Sequence, residues 1–420
     1  MLKHLVSRRA NNTSISTGFN TVATAEGAIE DDTRSPLERF RTPPKKTLSV
    51  TDLVSPAWCE LQYWYTLKHH GRKKRTVAMK EGSKVHKQLE DQVHTTIKID
   101  IETKEDAWGL RIWNVIQGLR TLKETGLTRE LEVWGVIDGL VVNGVIDELS
   151  YTCPDPQLEA KTTPKSTKPE VEPTQTTIKD FFASAGQSAT LDFARTEVPY
   201  VQAEFKKIYL GDVKTRAARN VPNSVSFRPT KMQLMLYHTL LGALAKNSVD
   251  LDTILGRYSL DGDKTFSDAF IVQIGDLNNG DFIVPDSSLE TTSTMSQDSI
   301  TTLLEYNNLK LLWSYMITEL QRTIPSEDSL GRVLKAEYRS RQDGEIVGTK
   351  NFLMNDQVLN EYLTREMEWW RGKREAQGVL IQEAFKCRTC DFAEMCEWRL
   401  KKIDEAKAKT RLKGKNLTAS

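Results

Sequence analysis

The sequence predicts a single α/β domain, a mixed central sheet flanked by helices, and three observations carry that expectation. Two runs rich in β-branched residues, Leu131–Val142 and Val145–Tyr151, follow each other closely. An alternating segment over Val198–Arg216 leads into a strongly amphipathic stretch, Pro229–Leu241, which changes the hydrophobic period from two to that of a helix. Three cysteines crowd near the end of the chain, with a fourth far upstream at Cys59, so the two ends of the domain are expected to be stapled together.

A length of 420 residues, 39% hydrophobic and 27% charged, suits a soluble globular chain with a large core. No apolar run approaches the length of a membrane-spanning helix, so no membrane role is expected. The formal charge of +1 excludes little, because a nucleic-acid partner needs only a local basic groove.

In chain order, residues 1–46 are expected to lack structure. The first 25 contain Lys3, Arg8 and Arg9 but no acidic residue, which suits a mitochondrial transit peptide and equally an ordinary disordered terminus. Order is expected from Leu48, with short helices capped by Ser49 or Thr51 and begun by Pro56. Trp58, Tyr63, Trp64 and Tyr65 are expected as core and groove walls rather than as a base-stacking platform. Over Met79–Thr95 a helical pattern places Gly82, His86 and Glu90 on one face; the glycine permits close backbone approach, and His86 offers a metal ligand or a structural histidine.

Asn143-Gly144 between the two β-branched runs signals a two-residue hairpin turn. The hairpin delivers two candidate acids, Asp138 and Asp147, which sequence physics does not separate. Residues 154–190, with five prolines among Thr, Lys and Glu, are expected to be a disordered insert. Inside it Gln175, Ile178, Phe181 and Phe182 resemble the box that docks partners onto the replication sliding clamp, a hydrophobic plug on one helical turn.

In Gly211-Asp212-Val213-Lys214, the two-residue period of a strand puts the carboxylate and the ammonium on one face, with Val213 turned into the packing behind them. A carboxylate that holds a divalent cation, beside a lysine that orients water and offsets phosphate charge, is a layout for metal-assisted phosphodiester hydrolysis. Gln233 and Tyr237 sit one turn apart on the following helix, available for phosphate contact or as ordinary polar surface. Residues 401–420 form a basic, solvated tail.

Cys387, Cys390 and Cys396 have the spacing C-x2-C-x5-C, three soft ligands that need a fourth from Cys59 or Cys153. Cys59 is preferred, because Cys153 borders the insert; zinc or an iron-sulfur cluster would suit the set. Taken together, Cys59, Gly82-x3-His86-x3-Glu90, Gly144-Val145-Ile146-Asp147, Asp212-x-Lys214, Gln233-x3-Tyr237 and the three closing cysteines resemble the iron-sulfur branch of the RecB-type PD-(D/E)xK nucleases. Within it the chain most closely resembles the eukaryotic exonuclease V family, over roughly residues 48–398.

That resemblance implies a restriction-endonuclease-like core over residues 47–400, closed by a 4Fe-4S staple on Cys59, Cys387, Cys390 and Cys396. It also implies Mg2+ held by His86, Asp147 and Asp212, with Lys214 orienting water and Gln233 and Tyr237 contacting substrate. Asp147 is thereby selected over Asp138, and the motif's middle acid, often Glu, is here Asp212. The implied activity is that of a monomeric single-stranded DNA exonuclease in genome maintenance, in the mitochondrion, the nucleus or both. An endonuclease of the same fold and a non-catalytic DNA-binding or clamp-associated scaffold are the alternatives.

Overall fold

The computed structural model describes residues 3–8, 32–71, 76–162, 206–276 and 294–417. The segment carrying Gln175, Ile178, Phe181 and Phe182 lies outside them. The described elements, in order, are β1 (Lys3–Arg8), α1 (Pro36–Phe40), β2 (Leu48–Ser49), α2 (Val50–Val54), α3 (Glu60–His70), α4 (Val77–Asp91), β3 (His94–Ile99), α5 (Lys104–Thr125), β4 (Leu127–Ile137), β5 (Leu140–Ser150) and α6 (Pro156–Ala160). Then come β6 (Tyr209–Arg216), α7 (Ser224–Ala245), α8 (Leu251–Tyr258), α9 (Asp268–Asp276), α10 (Thr294–Glu305), α11 (Leu309–Thr323), β7 (Val333–Ser340), β8 (Ile346–Leu353), α12 (Asp356–Trp370) and α13 (Glu397–Leu417).

The central sheet is mixed, as expected. β5 is flanked along its length by antiparallel β4, while its other edge is shared by β2, parallel at Val142 and Asn143, and β6, antiparallel at Glu148–Ser150. β7 then runs parallel to β6, and β8 antiparallel to β7. β1 and β3 form a separate parallel pair. Trp134 of β4, fully buried, packs against Trp108 of α5 and Trp313 of α11 with ring centroids 5.6 and 5.8 Å apart, which fixes these helices on the sheet.

The hairpin turn falls elsewhere than Asn143-Gly144. β4 and β5 close at Ile137 and Leu140, and the two turn residues are Asp138 and Gly139, with φ of 49° and 74°. Asp-Gly suits a type I′ turn as well as Asn-Gly does, and the longer register buries more of both strands. Gly144 is instead an interior strand residue whose missing side chain is required by packing: a Cβ there would stand 2.6 Å from Tyr237 Cε1 and 2.7 Å from Val50 Cγ2.

Structure also extends beyond the expected limits. Residues 1–46 include β1 and α1; α1 is stabilised by a reciprocal Ser35/Glu38 capping box with Pro36 in its first turn. The expected insert begins with ordered α6, whose Glu159 carboxylate accepts from the backbone N–H of Val333 at 3.0 Å and from Lys207 at 2.8 Å. The basic tail is drawn into α13.

Replacing Gly144 by alanine should destabilise the protein by about 1–3 kcal/mol through overpacking. Gly256, whose Cβ would meet nothing within 4 Å, should accept alanine without loss. Urea unfolding midpoints of the two variants check the contrast; equal midpoints would contradict the packing described.

Candidate active site

The site lies where the central sheet splits. The β5/β6 ladder pairs Glu148 with Gly211 and stops, although the next pair in that register would be Asp147 with Asp212. On the other side of β5 the ladder passes directly from the Arg129/Glu148 pair to Leu131/Ile146, omitting Glu130 opposite Asp147. Glu130 has φ of 54°, unusual for a residue with a side chain. Three carboxylates on three neighbouring strands therefore occupy one row, and like charges placed opposite one another disfavour pairing there.

The split releases backbone groups that the site uses. Val213 N–H donates to Asp147 Oδ2 at 2.8 Å, and the Val213 carbonyl oxygen lies 3.0 Å from His86 Nε2. His86 Nδ1 lies 3.4 Å from Glu130 Oε1 and 3.8 Å from Asp147 Oδ2. α4 can deliver His86 so closely because Gly82 touches β6: a Cβ there would be 2.9 Å from Thr215 Oγ1. Behind the site Val85 and Leu89 of α4 pack on Val213, so the alternation read from the sequence holds.

Asp212 is 1% exposed; its Oδ1 accepts from Lys214 Nζ at 2.7 Å, while Oδ2 has no hydrogen-bond partner. Burial pushes its pKa up to about 7, against the opposing pull of Lys214 and with the help of Asp147. Burial works against the Lys214 charge, but Asp212 and Asp147 outweigh it and hold the ammonium above its usual range. The hydrogen bond with Glu130 raises His86, assisted by Asp147 and opposed by burial. Ligand atoms of His86, Glu130 and Asp147 all lie within 4.8 Å of one another. An orphaned buried carboxylate oxygen beside that cluster fits a divalent cation, whose charge would relieve the row.

Gln233 and Tyr237 meet as their spacing predicts, with Gln233 Nε2 3.5 Å from the Tyr237 hydroxyl. Tyr237 is buried, and burial followed by Asp147 raises its pKa. Asp138 is excluded from the site: it sits in the hairpin turn, bound to Arg371. Glu130 was missed, since nothing local in Leu127–Ile137 marks its unusual backbone or sets it apart from Glu132. A cleft of about 1020 Å³ runs over this centre, lined by His86, Glu130, Lys214 and Gln233.

Cys59, Cys387, Cys390 and Cys396 line one cavity, while Cys153 lies elsewhere, beside Tyr209. The segments that carry Cys59 and Cys387 are tied together there. Glu60 accepts from Arg374 at 2.6 and 2.7 Å, and Lys386 Nζ donates to the Trp58 carbonyl at 2.6 Å.

The split sheet thus gathers three carboxylates, a histidine and a lysine, of which Glu130, His86 and Lys214 line the cleft. The family model for exonuclease V, described as a 5′ deoxyribonuclease, matches residues 35–399. The exonuclease V of Danio rerio is 24% identical over 375 residues, covering 89% of this chain and 74% of the relative. Proteins named exonuclease V, mitochondrial, from Candida glabrata and Kluyveromyces lactis are each 23% identical, over 453 and 442 residues; they cover 88% and 84% of this chain and 82% and 75% of their own. The chain belongs to the exonuclease V family, and that membership implies a deoxyribonuclease.

Proposed function

We propose that the chain is a PD-(D/E)xK exonuclease that hydrolyses single-stranded DNA from an end with Mg2+. The observation that carries the reading is the gathering of Glu130, Asp147 and His86 beside the Asp212–Lys214 pair, with His86, Glu130 and Lys214 lining one cleft. The family description favours a 5′ end.

His86, Asp147 and Asp212 would hold Mg2+, with Glu130 beside them, and the ion supplies Lewis-acid stabilisation of phosphoryl oxygens. A cation held there would favour the ionised form of Asp212 and relieve Lys214 of neutralising it. The Lys214 ammonium then orients the attacking water and offsets charge on the phosphate. Gln233 donates to a non-bridging phosphate oxygen, and the Tyr237 hydroxyl, un-ionised at neutral pH, steadies Gln233 from below.

The four cysteines are proposed to carry a 4Fe-4S cluster that clasps the chain ends. Support comes from their shared cavity and their spacing. The names of the yeast relatives support a mitochondrial location, as does the acid-free N-terminal sequence. A nuclear pool would give the box at Gln175, Ile178, Phe181 and Phe182 a sliding clamp to dock on.

Asp212→Ala and Lys214→Ala should each lower Mg2+-dependent cleavage of end-labelled single strands by at least about a hundredfold while leaving DNA binding largely intact; wild-type rates in either would sink the assignment. Anaerobically purified wild-type protein should contain iron and absorb in the visible range, and Cys390→Ser should lose both with a lower melting temperature; stoichiometric zinc without iron would contradict the cluster. Phe181→Ala/Phe182→Ala should abolish capture of the chain by immobilised sliding clamp, and unchanged capture, or none by the wild type, would discard the box.

A further inference from the structure

The active-site cleft does not end at the catalytic row. It continues past Gln233 to Trp58, His70 and Phe392, so the cysteine lobe forms part of its wall. Trp58 immediately precedes Cys59, and Phe392 lies between Cys390 and Cys396, so both rings sit on the segments that carry the four cysteines of one cavity.

Each ring is braced from outside the cleft. The Lys386 ammonium stands 4.6 Å from the Trp58 ring centre, and the Phe385 ring meets Trp58 edge-on with centroids 6.5 Å apart. Lys386 is 3% exposed and is fixed by the Trp58 carbonyl and by Glu383 at 2.6 and 2.7 Å. Phe392 stacks on His69 with centroids 5.6 Å apart and planes at 17°, and Tyr65 supports it from a second side at 5.6 Å. Neither ring belongs to the hydrophobic core, and both remain half-buried in the cleft wall. Tyr63, which also reaches the cleft, and Trp64 pack on Trp369, so these two rings are anchored in the core while Trp58 is not. α4 adds Met79, 39% exposed, to the same cleft.

A strand whose phosphate lies at His86 and Lys214 must carry its bases along this cleft. We propose that Trp58 and Phe392 form a stacking site for unpaired nucleobases of the DNA strand under cleavage, an inference that rests on the nuclease reading. Flat rings held in place before the ligand arrives lose little rotamer freedom on binding. Stacking on them tolerates any base, because every base offers a π-face. A base in a duplex has both faces covered by its neighbours, so this wall selects single strands. The cysteine lobe then contributes to substrate choice as well as to closing the domain.

The test is a binding scan by fluorescence anisotropy in metal-free buffer, using short labelled single-stranded oligonucleotides that each carry one abasic tetrahydrofuran residue. Wild-type protein should bind about fivefold to a hundredfold more weakly when the abasic residue occupies one or two adjacent positions, and normally elsewhere. Phe392→Leu, which keeps apolar bulk against His69, should weaken binding of the intact strand and show no further loss at one of those positions. Trp58→Leu should do the same at the other, and Phe392→Tyr should restore the wild-type pattern. Indifference of the wild type to every abasic position would overturn the proposal, and so would a full abasic penalty retained in both leucine variants. The wild-type scan decides even if a variant fails to fold. Position-dependent binding without Mg2+-dependent cleavage would refute the nuclease reading alone, whereas cleavage with a flat scan would refute the stacking site alone.

Discussion

Repulsion among Glu130, Asp147 and Asp212 is the constraint around which the rest of this structure is arranged. A sheet favours continuous ladders, yet both ladders of β5 are interrupted at the Asp147 row. The unpaired Val213 amide is recovered by Asp147, and the Val213 carbonyl by His86. Lys214 and a charge-favoured His86 supply part of the missing positive charge. What remains is a buried carboxylate oxygen without a partner, a cost that the proposed cation would offset.

Two small residues let helices reach that row. Gly82 brings α4 and its histidine against β6, and Gly144 admits Tyr237 of α7 against β5. The site is thus assembled from a strand pair that does not pair and two helices packed closer than side chains would allow. At the far end the cysteine lobe is joined to the same machinery, because Glu383 is bound by Arg228 of α7 as well as by Lys386. α7, the cleft wall and the cysteine-bearing segment therefore share one network.

Much of this was legible in the sequence where function and local period coincide. Asp212 and Lys214 on one strand face, Gly82 and His86 on one helix face, and Gln233 with Tyr237 one turn apart are all brought together as their spacing predicts. Glu130 was not legible, because its role depends on a positive φ that only the three-strand row explains. The misplaced hairpin turn has a related cause: Asn143-Gly144 has turn chemistry, but Gly144 is needed for the approach of Tyr237 and Val50. α1 could have been found, since Ser35-Pro36-Leu37-Glu38 contains a capping box and an N-terminal proline. The partnership of β1 with β3 could not, since the two segments are far apart in the chain and carry no mutual signal.

A divalent cation is proposed to complete the carboxylate row. Calorimetric titration of Mn2+ into the wild-type protein and into Asp147→Asn, with melting temperatures measured alongside, tests it most directly. Saturable binding is expected at the wild-type site, with an affinity at least about tenfold lower in the variant, as for loss of one charged ligand, and the fold retained. Equal affinity in the two proteins, or no saturable binding by the wild type, would contradict it.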